Sequence, residues 1–140
     1  MEKNVSKVGC IFIPVTDVKR STDWYMRMFD METIEILDYR AGLAFPNRET
    51  LVLLWKVAKP QTVEFDTGFN KMPYYNFNSY DIHDTYQQLK AKGATVSEIH
   101  EMPEYRFFEA FDPDSNPVSI VEETQESPYF VHKQKYRKHT

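Results

Sequence analysis

Two stretches of this 140-residue chain, 64 positions apart, carry the same plan. Cys10-Ile-Phe-Ile-Pro-Val-Thr-Asp17 alternates like a strand and ends on an Asp that can cap a helix. Tyr74-Tyr-Asn-Phe-Asn-Ser-Tyr-Asp81 does the same. An internal repeat constrains the fold more than any local propensity, because two copies of one unit have to build two similar bodies.

The residues beyond each copy also correspond. After Asp17, residues Ser21, Trp24, Tyr25 and Met28 stand at i, i+3, i+4 and i+7, one face of a helix ending near Asp30. Thr33–Leu37, Ala41–Phe45 and Leu51–Val57 then read as strands. Residues 58–72 are polar, carry Pro60 and Gly68, and read as a connection with room for a short strand of its own. In the second copy Pro73–Ser79 is a strand, and Asp81 starts a helix with Ile82, Tyr86 and Leu89 on its apolar face. Lys90, Lys92 and Gly93 suit that helix's end: cations at the negative dipole end, then a glycine for the left-handed cap. Thr95–Ile99, Tyr105–Phe111 and Val118–Val121 complete the copy as strands. The order is βαβββ twice, an α+β class within a single domain over residues 1–140. Module 1 spans about 7–57, module 2 about 73–123, and a basic segment 124–140 closes the chain.

Composition narrows the function. Hydrophobic residues make up 41% and aromatics 15%, enough for a packed core and too many for a disordered chain. Lys133, Lys135, Arg137 and Lys138 bring +4 to a net charge of −4, so the remainder carries −8. Such a body is a poor match for nucleic acid, whose phosphates need a basic surface. The basic end is read as a solvated tail, with docking on an acidic partner as the rival. Cys10 is the single cysteine, so no disulfide can form within the chain. The start, Met1-Glu-Lys-Asn-Val-Ser-Lys, has no apolar run, and Leu51–Trp55 is too short for a bilayer. A cytoplasmic protein with no membrane partner is the expectation.

Three segments carry a family resemblance. They are Ile13-Pro-Val-Thr-Asp-Val-Lys-Arg-Ser-Thr-Asp-Trp-Tyr25, Asp81-Ile-His-Asp-Thr-Tyr-Gln-Gln-Leu-Lys-Ala-Lys-Gly93 and Phe111-Asp-Pro-Asp-Ser-Asn-Pro-Val-Ser-Ile-Val-Glu122. The pattern, over about residues 7–123, resembles the vicinal oxygen chelate superfamily. That superfamily contains glyoxalase I, extradiol dioxygenases, and fosfomycin- and bleomycin-resistance proteins. The resemblance implies curled mixed sheets enclosing a cleft, a small-molecule ligand and pairing into a homodimer. Asp112, Asp114, Asn116 and Glu123 also fall at EF-hand positions 1, 3, 5 and 12. Pro117, where that loop needs glycine, and the strand-like Val118-Ser-Ile-Val argue for plain turn chemistry instead.

In metal-dependent members of the superfamily, a ligand sits seven residues before each capping Asp, and a Glu three residues after the turn Asn. The matched positions hold Cys10, Tyr74 and Ser119, and the first module's last-strand counterpart lies near Leu53. A thiol, a phenol, a hydroxyl and an alkyl group make a weak set for a divalent cation, which prefers imidazole and carboxylate. None of His83, His100, His132 and His139 pairs with another at a metal-motif spacing. The expected site has no metal and no other cofactor. Its cleft residues are Cys10, Phe12, Leu53, Trp55, Tyr74, Asn76 and Ser119.

The same aromatic side chains also fit a filled core with no cavity. Catalytic residues are not identifiable. Glu109, among aromatics, would be a base if it faced the cleft; the plainer expectation is that it faces solvent or pairs with Arg106 or a lysine. The expected function is metal-independent binding of a small, partly aromatic or apolar molecule, as bleomycin-resistance proteins do. The alternative is a metal-dependent lyase, isomerase or dioxygenase with displaced ligands.

Overall fold

The structure is a computed structural model that describes residues 4–137; Met1 to Lys3 of the start, and Lys138 to Thr140 of the basic tail, lie outside the described residues. Its elements run β1 (Cys10–Val15), α1 (Val18–Phe29), β2 (Glu32–Ile36), β3 (Arg40–Ala44) and β4 (Leu51–Lys56). Then come β5 (Glu64–Asp66), β6 (Lys71–Pro73), β7 (Asn76–Asn78), α2 (Ile82–Ala91), β8 (Thr95–Val96) and β9 (His100–Glu101). The chain closes with β10 (Tyr105–Phe111), β11 (Pro117–Glu123) and α3 (Pro128–Arg137). The class is α+β with mixed sheets. Among the described residues no helix is long and apolar enough to cross a membrane.

Two compact units emerge. Among the described residues the first holds 4–63 together with 112–116; the second holds 64–111 and 117–137.

In the first unit the strand order is β1-β4-β3-β2, with β1 parallel to β4 and the other pairs antiparallel. Ile13, Val15, Ala41, Leu43, Val52 and Leu54 are buried on the face that packs against α1. The helix answers with Ser21, Trp24, Tyr25 and Met28, the periodicity read from the sequence, and with Val18 and Thr22 besides. Asp17 caps it by accepting from the Arg20 N–H at 3.0 Å, and Asp30 ends it in the left-handed region (φ 54°).

The turn 112–116 is a hydrogen-bonded knot. Asp112 Oδ1 accepts from the backbone N–H groups of Asp114 and Asn116, both at 2.9 Å. Its Oδ2 accepts from the Tyr25 hydroxyl at 2.8 Å and from Asn116 Nδ2 at 2.9 Å. Asn116 Nδ2 also donates to the Pro14 carbonyl (3.0 Å), and Asp114 accepts from the Thr16 N–H (2.9 Å) and hydroxyl. Burial pushes the Asp112 carboxyl above its ordinary range, opposed by the hydrogen bonds from Asn116, Tyr25 and Asp114. The carboxylates that an EF-hand would offer to calcium, Asp112, Asp114 and Glu123, are spent on the protein itself.

In the second unit the order β7-β11-β10-β8 repeats the first, again with the first and last strands of the module parallel. Phe77, Phe108, Ala110, Val118 and Ile120 are buried on the α2 side. Asp81 caps α2 through the Asp84 N–H (3.1 Å), and Glu122 accepts from the Ile82 N–H at 2.7 Å. Gly93 takes φ +90° just past the helix end, the conformation for which glycine was expected there.

Three expectations need correction. The strand expected over 73–79 forms only at Asn76–Asn78, because Lys71–Pro73 is taken by an antiparallel hairpin with Glu64–Asp66. The strand expected over 95–99 is split into β8 and β9, which pair separately with β10. The tail, read as a solvated segment, contains α3. The start signal was present: the Ser127 hydroxyl accepts from the N–H groups of Tyr129 and Phe130, with Pro128 at the first helical position. Lys133 of α3 pairs with Glu123.

Candidate functional site

Each sheet has one face on its helix and one face away from it. The expected site residues other than Tyr74 fall on the second kind of face. Strand alternation puts them there, and register decides which of them meet.

In the first unit, Cys10 stands beside Leu51, Phe12 beside Leu53, and Pro14 beside Trp55 across the parallel β1–β4 pair. Phe12 is 59% exposed, while Cys10, Leu53 and Trp55 are half-buried. The sequence reading missed one neighbour. Arg40, opposite Trp55 on β3, sets its guanidinium 5.5 Å from the Trp55 ring centre and 5.4 Å from that of Tyr39. Its Nε donates to Glu35 at 2.8 Å. The Trp55 indole nitrogen is buried without a hydrogen-bond partner among the described residues. Nothing in the sequence disclosed the group, because it depends on the β3–β4 register. The face is apolar, with one paired cation and one thiol.

The second unit presents a polar row. Ser119 of β11 lies directly opposite Glu109 of β10 and directly beside Asn76 of β7. Val118 and Ile120 point to α2, so Ser119 points away from it, and only 6% of it is exposed. Its hydroxyl has no hydrogen-bond partner among the described residues. Val121 and Phe107 form the next pair along the face, and Phe107 stacks on His100 with ring centres 4.9 Å apart.

Glu109 does not pair with Arg106. Arg106 is on the opposite face and is held by Glu101 (3.1 Å) and Glu122 (2.8 Å). Burial pushes the Glu109 carboxyl above its ordinary value of 4.5; the charge of Glu64 pushes the same way and His100 pulls back. Tyr74 is not brought into the row. It precedes β7, is 68% exposed, and packs its ring 5.2 Å from that of Phe65.

The residues present do not fit the metal centre of the superfamily's enzymes. In the first unit Cys10 and Leu53 hold the matched positions; in the second, Ser119 neighbours an amide, Asn76. Among the described residues no three His, Cys, Asp or Glu side chains gather as a metal-binding group. A shallow hollow of about 420 Å³ lies elsewhere, beside α1, lined by Asp23, Met26, Arg27, Asp30 and Met31; none of the expected site residues lines it.

The comparisons with known proteins agree with this architecture. Residues 7–120 match the family model described as Glyoxalase/Bleomycin resistance protein/Dioxygenase superfamily. No curated protein matches the chain in sequence. Among solved structures, TnmS3, an antibiotic binding protein from Streptomyces sp. CB03234, superposes with a TM-score of 0.68 at 16% identity, covering 88% of this chain and 100% of its own. The fosfomycin resistance protein FosX from Listeria monocytogenes gives 0.66 at 16% identity, covering 87% and 97%. Lactoylglutathione lyase from Agrobacterium tumefaciens gives 0.66 at 16% identity, covering 84% and 94%. At such identities the likeness concerns the fold.

Proposed function

The chain belongs to the Glyoxalase/Bleomycin resistance protein/Dioxygenase superfamily, and from that premise we propose that it binds a small, partly aromatic or apolar molecule without a metal ion. The observation that carries the reading is the donor set at the matched positions: Cys10, Leu53, Tyr74 and Ser119. A family enzyme that polarises its substrate on a divalent cation needs imidazole or carboxylate there. Binding needs neither.

The open faces supply what small-molecule sites use, apolar walls with a few polar groups for orientation. The first unit's open face carries Phe12, Leu53 and Trp55 with the thiol of Cys10; the second unit's, by itself, carries Phe107 and Val121 beside Asn76 and Ser119. The fold is shared with an antibiotic binding protein, which supports the class of activity and not its ligand. The homodimer belongs to the same reading and rests on the family resemblance; sedimentation equilibrium tests it.

The deciding experiment is metal analysis after incubation with Fe(II), Mn(II), Ni(II) and Zn(II) and removal of loosely held ions, alongside a thermal-shift screen of planar aromatic compounds. The expected result is no retained metal and a saturable stabilisation by some compounds, about 2.7 kcal/mol at a hundredfold excess over Kd. Stoichiometric retained metal overturns the reading in favour of a metal-dependent enzyme with displaced ligands.

A further inference from the structure

Glu109 has no ion-pair partner among the described residues. Among the described residues its carboxylate makes no ion pair and no side-chain hydrogen bond, although it is half-buried. The cation on its own strand, Arg106, is committed to Glu101 and Glu122. The charges that act on Glu109 are Glu64 from β5 and His100 from β9. The row it shares holds a second group open to a ligand, the Ser119 hydroxyl, on a residue only 6% exposed and with no hydrogen bond among the described residues. A half-buried carboxylate and a hydroxyl at the edge of solvent stand side by side with no protein partner, so both are open to hydrogen bonds from a ligand.

The ligand's chemistry is set by the groups. A carboxylate accepts only, a hydroxyl accepts or donates, and the Asn76 amide does both. An anion placed here meets Glu109 and Glu64 with like charge. A neutral apolar molecule leaves the carboxylate unpaired. A protonated nitrogen donates to Glu109 and Ser119 together, and the Phe107 ring, stacked on His100, offers apolar cover beside it. The chain outside its basic end, at −8, attracts such a cation from a distance.

We propose that the open face of the second module selects a small organic cation, with Glu109 as counter-ion to its protonated nitrogen and Ser119 and Asn76 as hydrogen-bond partners. This rests on the small-molecule reading above and names the charge class of its ligand.

The test is an amide chemical-shift titration of the full ¹⁵N-labelled chain with three matched probes: 2-phenylethylammonium, 2-phenylethanol and 3-phenylpropionate. The ammonium should shift the amides of Asn76, Glu109 and Ser119 and bind about tenfold more tightly than the alcohol, with the carboxylate weakest. Glu109→Gln should erase the preference for the ammonium while keeping the spectrum of a folded chain. Ser119→Ala should weaken the ammonium and spare the order of the three. Equal binding of ammonium and alcohol at this face, unchanged in Glu109→Gln, overturns the charge selection and leaves small-molecule binding standing. If none of the three shifts this face, both readings fall.

Discussion

The two modules of this chain fold alike and differ in what they present. On the helix-facing side they are near equivalents: Ile13, Val15, Val52 and Leu54 in the first, Phe77, Phe108, Val118 and Ile120 in the second, all buried. Each module runs from its first strand into an Asp-capped helix and pairs that strand parallel to its last. On the opposite side the first presents Cys10, Phe12, Leu53 and Trp55, and the second presents Asn76, Ser119 and Glu109. Folding constrains the helix-facing positions, since a polar group there would be buried without a partner. It tolerates almost anything on the other side, so that is where the two copies diverge.

The comparison breaks first at the shared face. Leu54→Ala and Phe108→Ala should each cost about 3–5 kcal/mol in denaturant unfolding, because both side chains are fully enclosed. Phe12→Ala should cost less than about 1 kcal/mol, since most of that ring is already in solvent. Equal losses at both faces would make Phe12 part of the core and remove it from any binding surface.

An asymmetry within the Tyr25–Asp112 contact comes next in size. Asp112→Ala removes the acceptor of the Tyr25 hydroxyl and of two backbone N–H groups of 112–116, and should cost about 3 kcal/mol in the same unfolding measurement. Tyr25→Phe removes one donor and leaves Asp112 Oδ2 its bond from Asn116, so about 1 kcal/mol is expected.

The smallest effect concerns pH. Glu109 holds its proton more tightly folded than unfolded, so it contributes a stability that is lost as pH rises from about 4.5 through its raised folded value. Glu109→Gln should therefore match the parent below pH 4.5 and exceed it in melting temperature near neutrality. The groups facing it, Glu64 and His100, act in opposite senses, and Glu64→Gln should narrow the difference. A pH-independent difference would mean that Glu109 is fully solvated.

Much of the fold was legible in the chain. The Asp caps, the 3.6 periodicity of α1 and the alternation of β1, β4, β10 and β11 are properties of neighbours in sequence, and each is present in the structure. The site was legible only as a set of faces. Phe12, Leu53, Asn76 and Ser119 lie on the sides that alternation assigned them. Tyr74 does not join them, because its stretch is claimed by the β5–β6 hairpin before the strand can begin. Helix α3 was missed although Ser127-Pro128 announces it, because the charge of the tail outweighed its start signal.

The sequence alone determined the repeated strand–helix start of the two modules, the ends of α1 and α2, and which side of β1, β4, β10 and β11 is apolar. These depend on hydrogen bonds and side-chain periodicity within a few residues. Only the tertiary structure decided that Glu109 stands opposite Ser119, that Arg106 turns to Glu101 and Glu122, and that Arg40 lies over Trp55. Register is a property of pairs of strands, set by the whole sheet's packing on its helix, and a shift of one residue would exchange every such neighbour.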